Sequence, residues 1–459
     1  MIKDYYFCGI GGSGMMPLAL IVQSQGHRIA GSDRALDQGR TPEKFDWLRQ
    51  RGVQLFAQDG SGVTSSEQIV VASGAIEDTV PDIAAAKRAG ATILTRPQML
   101  SQLFNAAPTS IGVAGTSGKS TITGMVAWML HRLDQQPTVI NGAVMKNFVS
   151  DDTPFASSLV GQPEVMAAEV DESDGSIARY NPTVAVVSNI SLDHKSMEEL
   201  RQLFGGFMAR AKVAVLNLDN DETAALAATS DKVLTFSLNS GAADLYAHSL
   251  EALADGIRFD LVVDGQTLPV RLRVPGAHNV ANALAALGAV KALGLDVAKA
   301  AKALEGFEGM RRRLETVGTQ DGITVIDDFA HNPDKISATL NTLHAFEGRL
   351  LIMFQPHGFG PLKLMKTEFI DTFASLMKAD DVLVMPQPVY YGGTTDRSVT
   401  SEDIAEGVRT KDRQAIALPT REDCGDWLIQ HAKAGDRVLV MGARDDTLSV
   451  FARDLLARL

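Results

Sequence analysis

The residues best suited to chemistry in this 459-residue chain are a lysine and the glycines and hydroxyls around it, Gly115–Thr116–Ser117–Gly118–Lys119–Ser120–Thr121. A β-rich run, Thr109–Val113, leads into them, and a helical pattern from Ser120 to Met129 follows. This is the layout of a phosphate-binding loop. Glycines let backbone N–H groups point inward, the new helix offers its positive end, and Lys119 reaches the outer phosphates of a nucleotide. Ser120 or Thr121 would hold Mg²⁺. Val113 stands where the longer form of the motif opens with glycine, so this is the shorter variant. The competing reading is a tight strand-to-helix turn with an incidental lysine.

Three further stretches place reactive groups after apolar runs, and a helix start adds a fourth. Ala168–Glu169–Val170–Asp171–Glu172–Ser173–Asp174 crowds carboxylates at a strand end, where α/β sheets hold ligands. Asn189–Ile190–Ser191–Leu192–Asp193–His194 ends another strand. Together with the loop hydroxyls, Glu169 and His194 could share Mg²⁺ bridging the terminal phosphate of ATP to an acceptor. Alone, each would read as a solvated acidic turn or a surface histidine. His278, Asn279 and Asn282 open an alanine-rich helix with polar groups on one face, suited to a purine or ribose. Asp327–Asp328–Phe329–Ala330–His331–Asn332–Pro333 again ends a strand in charged residues.

Alternating strands and helices must position these groups, which argues for mainly parallel sheets. The first strand, residues 2–8, runs into Gly9–Ile10–Gly11–Gly12–Ser13–Gly14–Met15, a GxGxxG turn. Ser32 and Asp33 end the second strand, where a dinucleotide fold places the acid that meets a ribose hydroxyl. Alone, that pattern suits any nucleotide diphosphate, NAD included. The fold expectation is three α/β domains. Residues 1–106 form a Rossmann-like domain, and residues 107–316 a central P-loop ATPase-like domain with a β-hairpin extension around Asp264–Gly265. Residues 317–459 form a C-terminal Rossmann-like domain. A net charge of −12 excludes a basic surface for nucleic acid. Hydrophobic content of 45 % and mean hydropathy of +0.02 describe an ordinary globular chain with no apolar run long enough to span a bilayer. Cys8 and Cys424 stand far apart and read as buried thiols. A cytoplasmic enzyme is the expectation.

Taken together, the motifs resemble the Mur ligase family, the ATP-dependent amide-forming enzymes of peptidoglycan synthesis. They are GIGGSGM at 9–15, GTSGKST at 115–121, EVDESD at 169–174, NISLDH at 189–194, HNVAN at 278–282, RRLE at 312–315 and DDFAHNP at 327–333. The N-terminal set looks like the branch acting on UDP-N-acetylmuramate, which reassigns the first glycine loop from NAD to the UDP moiety. The resemblance implies UDP-substrate contacts at Gly11, Gly12, Ser13, Gly14, Met15, Ser32, Asp33 and Ser73. It implies ATP contacts along Gly115–Thr121 and at His278, Asn279, Asn282, Arg313 and Asp328, with Mg²⁺ at Ser120 or Thr121, Glu169 and His194. Lys119, Glu169, His194, Arg313 and His331 would carry catalysis, His331 near the acceptor. The implied reaction phosphorylates the muramoyl carboxylate and then lets an amine attack the acyl phosphate, with domain closure to exclude water.

Departures bear on the acceptor. Ser117 and Ser120 stand where the branch usually has His and Thr, which keeps the hydroxyl chemistry. The stretch Met197–Ala209 holds no lysine of the kind some family members carbamylate. After Phe354–Gln355–Pro356–His357 the chain has Gly358 and Pro361, where arginines suited to an amino-acid carboxylate are usual, with Lys363 and Lys366 beyond. The expected acceptor is L-alanine, with a ready-made tripeptide as the alternative. A nicotinamide oxidoreductase or a non-catalytic ATP-binding paralogue are the readings from other classes.

Overall fold

The computed structural model describes residues 2–459 except 75–78, 193–194, 254–255, 390–395, 444 and 446. It divides into two compact units: Met1–Glu251 with Arg258–Arg273 and Asn279–Glu308, and Gly309–Leu459 with Ala252–Ile257 and Val274–His278. Three sheets organise them.

The first sheet is all parallel, in the order Gln54–Phe56, Arg28–Ser32, Asp4–Cys8, Ile69–Ala72, Thr92–Thr95. The chain starts in the middle, winds outward one way, then returns to wind the other way. The winding therefore reverses between Asp4–Cys8 and Ile69–Ala72, and such a crevice is where doubly wound sheets bind ligands. The Gly9–Gly14 turn follows the first of these strands and Ser73 follows the second.

The second sheet has ten strands. Its centre is Thr109–Ala114, flanked in parallel by Val184–Val187 and Gln162–Glu169. Apolar runs buried on both faces account for these strands. Gly112 lets the Phe207 ring seat against the central strand, since a Cβ there would lie 2.7 Å from Cζ. The helix Lys119–Arg132 is buried on nearly every side, which fixes the phosphate loop at its N-terminus. The expected hairpin is present as Gly256–Val263 and Gln266–Leu272. Asp264 and Gly265 take φ of 50° and 74°, the left-handed pair that a two-residue hairpin turn requires. The sheet continues through Leu245–Leu253, a strand that the sequence reading did not anticipate.

The third sheet, in the second unit, runs Glu315–Gln320, Ile323–Asp328, Arg437–Gly442, Leu350–Gln355, Val382–Pro386, Gln414–Leu418. Only its first pair is antiparallel. That edge strand, Glu315–Gln320, crosses the expected 316/317 boundary. Apolar clusters fill both faces of the sheet. No described helix is long and apolar enough to cross a membrane.

Candidate active site

Strand order brings the phosphate-loop groups together. The loop leaves the central strand, so its neighbours are the ends of the two flanking strands, Glu169–Glu172 and Ser188–Ser191. Gly115 takes φ +135°, and a Cβ there would lie 2.2 Å from the Ser188 hydroxyl. Gly118 takes φ +87°, and a Cβ would lie 2.4 Å from Asn282 Oδ1. Neither position admits a side chain without moving its neighbour. The loop is then pinned from the Asn189 side. The Thr116 N–H donates to the Asn189 carbonyl at 3.0 Å and the Ser117 N–H to Asn189 Oδ1 at 2.9 Å. The Ser188 hydroxyl donates to the Ser117 carbonyl at 2.7 Å.

On the opposite side the carboxylates close in. The Ser120 hydroxyl donates to Glu169 Oε2 at 2.9 Å, and the Gly142 N–H donates to the same oxygen at 2.9 Å. The buried Asn141 amide donates to the Ser120 carbonyl. Lys119 Nζ donates to the Gly115 carbonyl at 2.7 Å and lies 2.9 Å from Glu172 Oε2. Burial works against the Lys119 charge, but Glu172, Glu169 and Asp171 outweigh it and raise its pKa. Burial raises the Glu172 carboxyl above the ordinary range despite Lys119. Asp171 ends below that range because Lys119 and the Ser173 hydrogen bonds overcome the effect of its burial. His194 and Asp193 lie outside the described residues.

The three polar residues of the Ala277–Ala292 helix do not act as one face. Asn282 donates to Asn279 Oδ1 at 3.2 Å and stands against Gly118 in the first unit. His278 belongs to the second unit, with Nδ1 3.3 Å from the Thr342 hydroxyl, and burial lowers its pKa. A 100° step per residue separates consecutive side chains and lets packing assign them different partners.

In the N-terminal glycine turn the structure redirects several expected contacts. Met15 sends its side chain into the core, and its N–H donates to the Gly12 carbonyl. Ser32 is fully buried and donates its hydroxyl to the buried Asp82 carboxylate, while its carbonyl accepts the Gly9 and Ile10 N–H groups. Asp33 accepts the Gly11 N–H on one oxygen and caps the short helix Arg34–Asp37 through the Ala35 N–H on the other. Both residues thus shape the turn. Gly12, Ser13 and Gly14 remain at the surface of the turn. Arg96 lies along it, with Cδ 3.1 Å from where a Gly14 Cβ would be, and pairs with Asp174 at 3.7 Å.

In the second unit, Arg312 and Arg313 divide the work. Arg312 turns inward at φ +58°, reaches Asp327 at 3.4 Å, and donates to the Gly442 and Asp445 carbonyls. Arg313 lies over the Phe329 ring at 4.4 Å. Asp328 accepts the Leu314 N–H and the Thr339 hydroxyl, so it ties the Arg312–Leu314 turn to its strand. His331 Nδ1 lies 2.8 Å from the Phe329 carbonyl, and since a carbonyl only accepts, Nδ1 carries the proton and Nε2 the lone pair. Burial first, then Lys335, His357 and Arg313, push the His331 pKa down to about 2, so the ring is neutral. His357 packs edge-on against it at 5.3 Å. Gly358, at φ +151°, holds a backbone conformation that favours glycine. Lys363 pairs with Asp396, and Lys366 with Asp403 at 3.0 Å.

Comparison with known proteins sets these sites in a family. Three family models match in chain order: "Mur ligase family, catalytic domain" over residues 4–107, "Mur ligase middle domain" over 113–290, and "Mur ligase, glutamate ligase domain" over 312–444. The chain belongs to the Mur ligase family. Among curated members, a UDP-N-acetylmuramate–L-alanine ligase of Jannaschia sp. (strain CCS1) is 34 % identical, covering 100 % of this chain and 96 % of its own length. One of Synechococcus sp. (strain JA-3-3Ab) is 37 % identical, covering 97 % and 85 %. Among solved structures, the UDP-N-acetylmuramate-alanine ligase of Thermotoga maritima aligns with a TM-score of 0.81 at 25 % identity over 100 % of this chain and 99 % of that one. A murein peptide ligase of Psychrobacter arcticus shares the fold, with a TM-score of 0.73 at 24 % identity over 99 % and 98 %.

For this Mur ligase, the residues present suit Mg²⁺. Ser120 and Glu169 supply hard oxygen donors within one hydrogen bond of each other, and that ion takes one or two protein oxygens with substrate phosphates and water. Three groups at the sites escaped the sequence reading: Glu172 as partner of Lys119, Asn141–Gly142 behind Ser120 and Glu169, and Arg96 beside Gly14. Glu172 was visible only as one acid of a crowded stretch. Asn141 and Arg96 come from segments remote in sequence, and nothing in their local pattern says which site they reach.

Proposed function

We propose that this Mur ligase joins L-alanine to the carboxylate of UDP-N-acetylmuramate at the expense of ATP, through an acyl phosphate. Full-length identity of 33–37 % to relatives named UDP-N-acetylmuramate–L-alanine ligase carries this reading. The phosphate loop supports it. A carboxylate is inert to amines until phosphorylated, so the reaction needs a site that grips a terminal phosphate, and Lys119 with the loop N–H groups supplies one.

In this reading residues 1–106 bind the UDP substrate, residues 107–316 bind ATP, and residues 317–459 bind the acceptor. Lys119 and the N–H groups at Gly118–Thr121 hold the β- and γ-phosphates and offset charge on the transferring group, while the Thr116 and Ser117 N–H groups, committed to Asn189, fix the shape of the loop. Ser120, with Thr121 beside it, Glu169 and His194 would hold Mg²⁺, which when bound neutralises the phosphate oxygens. Gly12, Ser13 and Gly14 face the UDP diphosphate, with Ser73 across the crevice. Asn279 and Asn282 back the loop, and His278, Arg313 and Asp328 would serve the nucleotide. The neutral His331, whose Nδ1–H is held by the Phe329 carbonyl, would use its Nε2 lone pair to accept a hydrogen bond from the incoming amine and orient it. Its low pKa suits it to orientation rather than to storing the proton.

Phosphate release with UDP-N-acetylmuramate and each candidate amine tests the reading. The expected result is ATP-dependent release with L-alanine. Release with L-Ala-γ-D-Glu-meso-diaminopimelate alone would overturn the acceptor assignment, and NAD(P)H-linked absorbance change without ATP use would overturn the reaction class.

A further inference from the structure

Lys119 has an anionic partner within the protein itself. Glu172 is buried, both its oxygens lie within 3.3 Å of Nζ, and the Gly115 carbonyl takes another of the three ammonium donors. Phosphates entering the loop bring further negative charge to the same ammonium. Two anions competing for one part-buried cation repel each other in a site where solvent is largely excluded. The Glu172 backbone cannot retreat freely: its carbonyl accepts the Gly175 N–H, and the adjoining Asp171 caps Ser173.

We propose that Glu172 is a positioning residue for Lys119: it holds the ammonium against the phosphate loop in the nucleotide-free enzyme and must yield it to the nucleotide's phosphates. This rests on the ATP-dependent reading above. Glu172 thereby fixes where the lysine waits and loosens the grip on nucleotide, ADP included, which favours turnover over tight storage.

The test measures dissociation constants for ADP and a non-hydrolysable ATP analogue by titration calorimetry, independent of ligase activity. Glu172→Gln keeps the shape and removes the charge. It should bind both nucleotides about tenfold more tightly, with KM for ATP falling in parallel. Glu172→Asp should return affinity toward that of the wild type, and in a Lys119→Met background the Gln substitution should change affinity less than about twofold. A merely structural residue would lower the melting temperature and leave affinity alone. Unchanged or weaker binding by folded Glu172→Gln, or an equal gain without Lys119, overturns the proposal. Failure of the wild-type chain to bind either nucleotide overturns the ATP reading itself.

Discussion

A lysine amid small residues and a carboxylate under a glycine turn do different kinds of work, and substitution should separate them. Lys119→Ala removes the only side-chain cation placed against the loop carbonyl of Gly115 among the described contacts. ATP-dependent phosphate release should fall by about a hundredfold or more; because the substitution also strands the buried Glu172 carboxylate, the Lys119→Ala/Glu172→Gln double variant, with a thermal transition closer to that of the wild type, serves as the folding control. Asp82 behaves oppositely. It is fully buried and accepts from the Ser32 hydroxyl, the Cys8 thiol at 3.6 Å and the Gly60 N–H at 2.8 Å. Asp82→Ala would strand these donors, and chemical denaturation should show a loss of about 2–4 kcal/mol. Local patterns exposed the lysine because its chemistry depends on immediate neighbours. They did not show that Ser32 and Met15 are buried, because exposed and core-facing positions of the turn alternate within a few residues. Nor could spacing say which of Arg312 and Arg313 turns inward, since that depends on the distant Gly442 and Asp445 carbonyls.

At the scale of elements, the loop's shape depends on the helix packed beside it. Gly118→Ala puts a methyl into both a left-handed backbone and the Asn282 amide. KM for ATP should rise about tenfold or more. Adding Asn282→Ala should recover part of that loss by removing the clash, though not the backbone strain; steady-state kinetics on the two variants would show it. Buried parallel strands were legible as continuous apolar runs, and the Asp264–Gly265 turn announced its hairpin. The edge strands Glu315–Gln320 and Gln54–Phe56 were not, because they are short and half-exposed and take their conformation from pairing.

Across the whole molecule, two part-buried histidines tie stability to pH. His278 and His331 both have lowered folded pKa values, His331 about 2, against an unfolded value of 6.5. Below pH 6.5 the unfolded chain binds protons that the folded chain refuses. The stability present above pH 6.5 is therefore lost as pH falls through that value. At pH 5.5 the loss from His331 should be about 1 kcal/mol, with His278 acting in the same direction, read as a lower urea midpoint than at pH 7.5. Replacing His331 with Gln should flatten part of that slope. In the proposed reaction ATP activates the muramoyl carboxylate. UDP-N-acetylmuramate carrying ¹⁸O in that carboxylate, turned over with ATP and L-alanine, tests it most directly. Mass spectrometry should find one labelled oxygen in each phosphate released; phosphate free of label, with amide product formed, would contradict the account.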